Sequence, residues 1–397
     1  PQLGRLPGQL QLDIQNLKRG TQTLTRGRVL LAGTKAAHVL QVSAQGVNPA
    51  TRFSIQLAGG FNNINDWLGQ VQQGNLSTRQ VNLLQNKSAA FIYRSQSKAI
   101  YLDEHCWMGG TSKLCLVEPL QASHQKGLIS LQLKDLDIAS FQAFMPQGVA
   151  WVGKLFGYGK VTWGASGAPT LNAQIYTDNG EIGLAPEDPQ DDPLTLAYQR
   201  LSLVASTQPD GIKLRFDAKT PGIGTGFIDA TINPRVTPKT VNGALVLDKV
   251  QMNVFKPFFP GMRVLNGVAS LAGGISGPLT APDFYGEFRL KDGQVAMNNI
   301  PVNLNNINLS SSIRGTEATL TGSFLSGDGQ GKITGEANWQ GVPYANLSLS
   351  GEKLLIRQAP MLTARITPTI DVRILPTQQQ ITVNGNVDVP SALVSLP

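Results

Sequence analysis

Short segments in which apolar and polar residues alternate recur along the chain, and the longest run made only of apolar residues and glycine, Gly148 to Gly153, is six positions long. A helix that crosses a bilayer needs about 20 apolar residues in succession, so none is expected. The alternation reads as strands at Leu128 to Leu133, Leu171 to Tyr176, Leu201 to Ala205, Lys213 to Ala218, Leu245 to Val250, Phe284 to Leu290, Thr319 to Leu325 and Leu347 to Leu349. On one of them Phe284, Gly286, Phe288 and Leu290 share a face, while Tyr285, Glu287, Arg289 and Lys291 share the other. That is the period-two pattern of a sheet with one apolar and one wet side. The 42 glycines and 24 prolines leave few windows long enough for a helix of ordinary length.

Asn-Gly or Asp-Gly pairs at Asn179, Asp210, Asn242, Asn266, Asp292, Asp328 and Asn384 predict tight turns, and with them antiparallel meanders. Asn65 to Gln73, Ile138 to Phe144 and Gln251 to Phe259 carry apolar residues at helical spacing and predict short amphipathic helices. The expected fold class is therefore all-β, mainly antiparallel, with a few short helices.

The last two helical stretches open an internal repeat. Phe141-x-x-Phe144-Met145-Pro146 lines up with Phe255-x-x-Phe258-Phe259-Pro260. After a length change, Leu155-x-Gly157 through Gly167 meets Leu265-x-Gly267 through Gly277, and Ala168-Pro169 meets Ala281-Pro282. Asp178-Asn179-Gly180-Glu181 then meets Lys291-Asp292-Gly293-Gln294. Self-similarity of this kind suggests units that lend an edge to the next instead of each closing its own core. The segments read as 1–134, 135–246 and 247–397, expected to form one continuous sheet.

Only 15% of the residues are charged, against roughly 25% in ordinary soluble domains. The net charge of +7 permits attraction to phosphates. The positive residues are dispersed, with no five-residue Lys/Arg block, so nucleic-acid binding is not expected. Enzymatic motifs are equally scarce: no G-x-S-x-G, H-E-x-x-H, C-x-x-C or P-loop occurs. Gly222-x-Gly224-x-Gly226 lacks the lysine of a phosphate loop and reads as a bulged turn. The acidic segment Glu187 to Asp192 lacks the EF-hand ligand pattern and reads as a solvated loop. With three histidines, His38, His105 and His124, general-base candidates are few. No catalytic residue, cofactor or metal is assigned.

Cys106 and Cys115 flank a Gly109-Gly110 pair that can fold the chain back. The pair suits a hairpin-closing disulfide, which would persist in an oxidising compartment such as the periplasm. Two reduced thiols are the alternative, and His105, Cys106, Cys115 and His124 are together a third reading as zinc ligands. Against zinc, adjacent His105 and Cys106 would point to opposite sides of a strand.

Phe258-Phe259-Pro260-Gly261, Leu265-Asn266-Gly267, Gly277-Pro278-Leu279-x-Ala281-Pro282-x-Phe284-x-Gly286, Leu290-Lys291-Asp292-Gly293 and Ile300-Pro301-Val302 follow one another in the second repeat. Leu320-x-Gly322, Gly327-Asp328-Gly329, Gly335-x-x-x-Trp339 and Val387-Asp388-Val389-Pro390 continue the series. In order and spacing these motifs resemble the C-terminal half of the TamB family, most clearly over 247–397. The resemblance implies a curled sheet with an apolar inner face, the β-taco, related to the AsmA-like bridges that transfer lipid. It further implies a periplasmic role between the two membranes of Gram-negative bacteria, with TamA of the outer membrane as partner. An inner-membrane anchor would then lie outside this sequence, which reads as a fragment.

Phospholipid, or another acyl-chain ligand, is the expected cargo. Roughly thirty strands at about 4.8 Å spacing would make a trough on the order of 100 Å long. Alternation places Phe284, Phe288 and Leu290, with Leu320 and Phe324, on its floor. The alternative role is assembly of outer-membrane proteins with TamA, by pairing at an exposed strand edge.

Overall fold

The computed structural model describes the chain except residues 1–5, 20–21, 48–49, 146–147, 165–166, 185–193, 222–223, 259–260, 299–302, 359–361 and 395–397. The described residues form 27 strands and three short 3-10 helices, with no α-helix, and every described strand pairing is antiparallel. None of their helices is long and apolar enough to cross a membrane. Two units divide the chain, Pro1–Ile212 and Lys213–Pro397.

The first unit opens with five long strands, β1 (Gly8–Arg19), β2 (Gln22–Gly33), β3 (His38–Val47), β4 (Thr51–Phe61) and β5 (Trp67–Ser77). Six short ones follow: β6 (Asn82–Gln85), β7 (Ala89–Arg94), β8 (Ala99–Leu102), β9 (His105–Gly109), β10 (Ser112–Leu116) and β11 (Leu120–Ala122). It ends on β12 (Gly127–Asp137), β13 (Val149–Gly164), β14 (Gly167–Leu184) and β15 (Leu194–Gln208). Successive strands pair from β1 to β5 and from β12 to β15. Between them the sheet forks. One branch runs β5–β7–β8–β11–β12 and the other β5–β6–β9–β10–β12.

β16 (Gly211–Thr220) carries the unit boundary. The second unit continues through β17 (Gly224–Asn233), β18 (Thr240–Gln251), β19 (Met262–Pro278), β20 (Asp283–Met297), β21 (Asn303–Gly315) and β22 (Glu317–Ser326). Then come β23 (Gly329–Asn338), β24 (Tyr344–Glu352), β25 (Leu354–Gln358), β26 (Leu362–Leu375) and β27 (Gln380–Val394). Successive pairing runs from β17 to β24, and β24 and β25 both pair with β26, which pairs with β27.

Two expectations need correction. Asn65 to Gln73 is not helical: Trp67 onwards is β5. Trp67, Val71 and Gly74 are buried, at a spacing of i, i+4, i+7. An irregularity in the β4–β5 register shifts the alternation by one residue there, so a bulged strand imitates the helical period. Ile138–Phe144 and Met252–Phe258 are helical, but as 3-10 helices, the first capped by Asp137, whose carboxylate accepts from the Ala139 amide.

Most of the Asn-Gly and Asp-Gly pairs are also not hairpin turns. Asp210 and Asp328 sit in turns, whereas Asn179, Asn242, Asn266, Asp292 and Asn384 lie inside β14, β18, β19, β20 and β27. Asn179 and Asp292 have left-handed backbones, φ 51° each, at shifts in strand register. A left-handed residue followed by glycine serves a bulge as well as a turn, which is why the pair misleads. Neighbouring strands carry their irregularities side by side: Asp135, Gly153 and Asn179 on β12 to β14, and Lys249, Gly267, Asp292 and Asn306 on β18 to β21. Each bulge bends its strand, so every row makes a crease.

The creases re-register the repeat. Gly153 and Gly267 occupy equivalent irregularities, each seven residues after Pro146 and Pro260, so no length change is needed before this point.

Candidate functional site

Many of the buried side chains sit at the creases, and another group, Trp67, Val71, Leu83, Ala89, Cys115 and Leu116, lies in the fork of the first unit. In the first unit Tyr198 is 3% exposed and its hydroxyl binds Thr177 Oγ1 at 2.9 Å, accepts from Trp151 Nε1 at 2.8 Å and donates to the Val152 carbonyl at 3.3 Å. The hydroxyl occupies the space where a Cβ on Gly180 would stand, so this glycine is required by close approach. In the second unit Ile307, Phe324 and Leu354 form a small buried cluster, with Leu290, Val295, Leu309 and Leu349 packed against it.

Away from the creases many apolar side chains of the second unit are only half-buried, among them Leu271, Phe288, Leu320, Leu347 and Val372. What is left open is one-sided. Residues opposed across antiparallel strands share a face, so the register can be followed from strand to strand. Leu247, Leu271, Phe288, Ser311, Leu320, Gly335, Leu347 and Val372 make one row across β18 to β26. Ala269, Leu290, Leu309, Gly322, Ile333, Leu349 and Ile370 make the next. Neither row contains a charge.

The opposite face carries Arg289, Ser310, Thr321, Thr334, Ser348 and Asp371 in one row and Glu287, Ser312, Thr319, Glu336, Asn346 and Arg373 in another. Its charges pair locally, as in Arg289 with Glu287 at 2.5 Å. On the same side Asp217 and Asp229 raise the pKa of Arg215, whose guanidinium lies 4.4 Å from the centre of the Phe227 ring. The first unit repeats the division: Leu12, Val29, Val42, Ile55 and Gly74 form one apolar row and Leu10, Leu31, Leu40, Leu57 and Val71 another.

All five residues expected on the floor share the apolar face of the second unit. Phe324 is buried in the cluster, and Leu290 packs on it. Phe288 and Leu320 are half-buried in one row with Ser311 between them. Phe284 folds over Gly286 and Gly273, with its ring tip 2.7 Å from where a Cβ would stand on either. Arg289 and Lys291 are exposed on the opposite face.

Cys106 and Cys115 stand opposite each other on β9 and β10 and form a disulfide, with Cα atoms 4.0 Å apart. Their sulfurs therefore cannot act as thiolate ligands, and no group of metal-ligating residues occurs among the described residues. His38 is engaged at both ring nitrogens, Nδ1 with the Thr34 carbonyl at 3.0 Å and Nε2 accepting from Trp67 Nε1 at 2.8 Å. Gly224 and Gly226 belong to β17, so a strand and not a helix follows the glycine-rich stretch. Glu187 to Asp192 and Ile300-Pro301 lie outside the described residues. The knot of Trp151, Thr177 and Tyr198 was not legible as a site: Tyr198 stands in an ordinary mixed stretch, Leu196-Ala197-Tyr198-Gln199-Arg200-Leu201, and nothing local marks its partners.

Comparison with known proteins identifies two family models along the chain, the TamB N-terminal domain over residues 2–290 and the TamB C-terminal domain over residues 314–397. The family signal thus extends over the first repeat and the segment before it. Translocation and assembly module subunit TamB of Haemophilus influenzae is 21% identical over 369 residues, covering 92% of this chain and 28% of that protein. The chain therefore spans less than a third of the length of this relative. No solved structure matches it.

Proposed function

Since the chain belongs to the TamB family, we propose that its apolar faces hold the acyl chains of phospholipid and let them pass between the inner and outer membranes. The observation that carries this reading is the pair of uncharged rows through Leu320 and Leu290 across β18 to β26, whose larger side chains are mostly half-buried. Each methylene taken out of water gains about 0.8 kcal/mol, so a few contacts retain a lipid. A floor of similar rows offers no deep trap, so retention is compatible with sliding. The work is non-enzymatic and needs no cofactor. The charged face turns its ion pairs to water, in a parent protein placed in the periplasm and anchored in the inner membrane outside this segment.

A second reading is assembly with TamA, in which an exposed sheet edge takes up a strand from an outer-membrane protein. Native mass spectrometry of the purified chain separates the two. Co-purified phospholipid in stoichiometric amount supports the groove, and lipid-free protein that captures unfolded outer-membrane strands supports the edge.

A further inference from the structure

The charged face of the first unit has a feature that the groove reading does not use. Arg26, Gln45, Arg52, Ser77 and Asn82 stand opposite one another in a single row across β2 to β6. The two arginines flank Gln45, and both line a cavity of about 390 Å³, a size within the range of small-molecule sites, roughly 300 to 1,000 Å³. Arg28, in the next row, is neutralised by Asp13 at 2.7 Å. Among the described residues neither Arg26 nor Arg52 has an ion-pair partner, and no carboxylate lines the cavity. Asn75 borders this cavity and a neighbouring one of about 660 Å³, and its side-chain oxygen has no hydrogen-bond partner.

We propose that this cavity binds a phosphate-type oxyanion, held between the guanidinium groups of Arg26 and Arg52 over Gln45. Guanidinium donors suit such an anion because their planar fork matches two of its oxygens, and the hydroxyl and amide groups of Ser77 and Asn82 can complete its shell. A free phosphate and the phosphodiester of a lipid headgroup present the same chemistry here. The site stands on the charged face and does not depend on acyl chains entering the groove.

The test uses the whole chain. Inorganic phosphate and glycerol 3-phosphate are titrated by calorimetry, and vesicles of phosphatidylcholine with and without phosphatidylglycerol are tested by co-sedimentation. Arg26→Gln with Arg52→Gln should weaken binding roughly tenfold or more, as expected on losing two charge-assisted contacts. Arg289→Gln with Lys291→Gln removes the same charge elsewhere and should leave binding within about twofold. Circular dichroism and a thiol count check that each variant is folded. Binding of the soluble anions identifies a free phosphate, and binding of phosphatidylglycerol vesicles alone identifies the headgroup. Equal loss in both double variants, or binding of neither probe by the unaltered chain, overturns the proposal.

Discussion

Tyr198 makes the sharpest claim at the scale of single residues. Its hydroxyl joins Trp151, Thr177 and the Val152 carbonyl at a buried crease, so Tyr198→Phe leaves several polar groups without their partner. The expected loss is about 1–3 kcal/mol in urea denaturation. Gly180→Ala should cost at least as much, because a methyl group there meets the same hydroxyl. An unchanged midpoint in both variants would remove the knot from the account. A second residue gives a pH signature. The Asp66 carboxyl accepts from Arg94, from the Ser95 amide and from the Ser95 hydroxyl, and the Arg94 hydrogen bond foremost holds its pKa below the usual value. A depressed folded pKa contributes stability that is full above the unfolded value, near 3.9, and is lost as pH falls through the lowered one. Asp66→Asn should flatten that acid limb of the stability profile without steepening it near neutrality.

Elements show what the sequence could and could not reveal. The alternation from Phe284 to Leu290 reported its two faces directly, because a strand without bulges repeats every two residues. The pairing of Cys106 with Cys115 was equally legible, since Gly109-Gly110 marks the fold-back between them. Asn179 and Asp292 misled for a definite reason: the left-handed backbone that closes a hairpin also bends a strand, and local sequence carries no sign of which neighbour lies alongside. The bulge in β5 misled in the same way at Trp67, Val71 and Gly74. Two predictions belong here. Asp292→Val places a β-branched residue in a left-handed backbone and should cost about 1–2 kcal/mol, whereas Asp292→Gly should be close to neutral. Replacing both cysteines by serine should lower stability by about 2–3 kcal/mol on the chain-entropy view, read from denaturation under non-reducing conditions.

For the whole molecule the claim is that the apolar face is where lipid travels. Leu320→Asp or Phe288→Arg, introduced into the full-length parent protein, should impair envelope lipid balance while the variant still folds, because a charge on that floor must be desolvated or must hold water there. Outer-membrane protein insertion, measured separately, should follow only secondarily; defective insertion with normal lipid balance would favour the strand-edge reading. The most direct measurement compares faces within one strand. A photo-crosslinking amino acid is placed at Leu320 or Phe288 on the apolar face, and at Thr321 or Arg289 on the charged face, in cells expressing the full-length protein. Phospholipid adducts at the first pair and not at the second are the expected result. Adducts of equal yield on both faces, or none at Leu320 and Phe288 in folded protein, would contradict it.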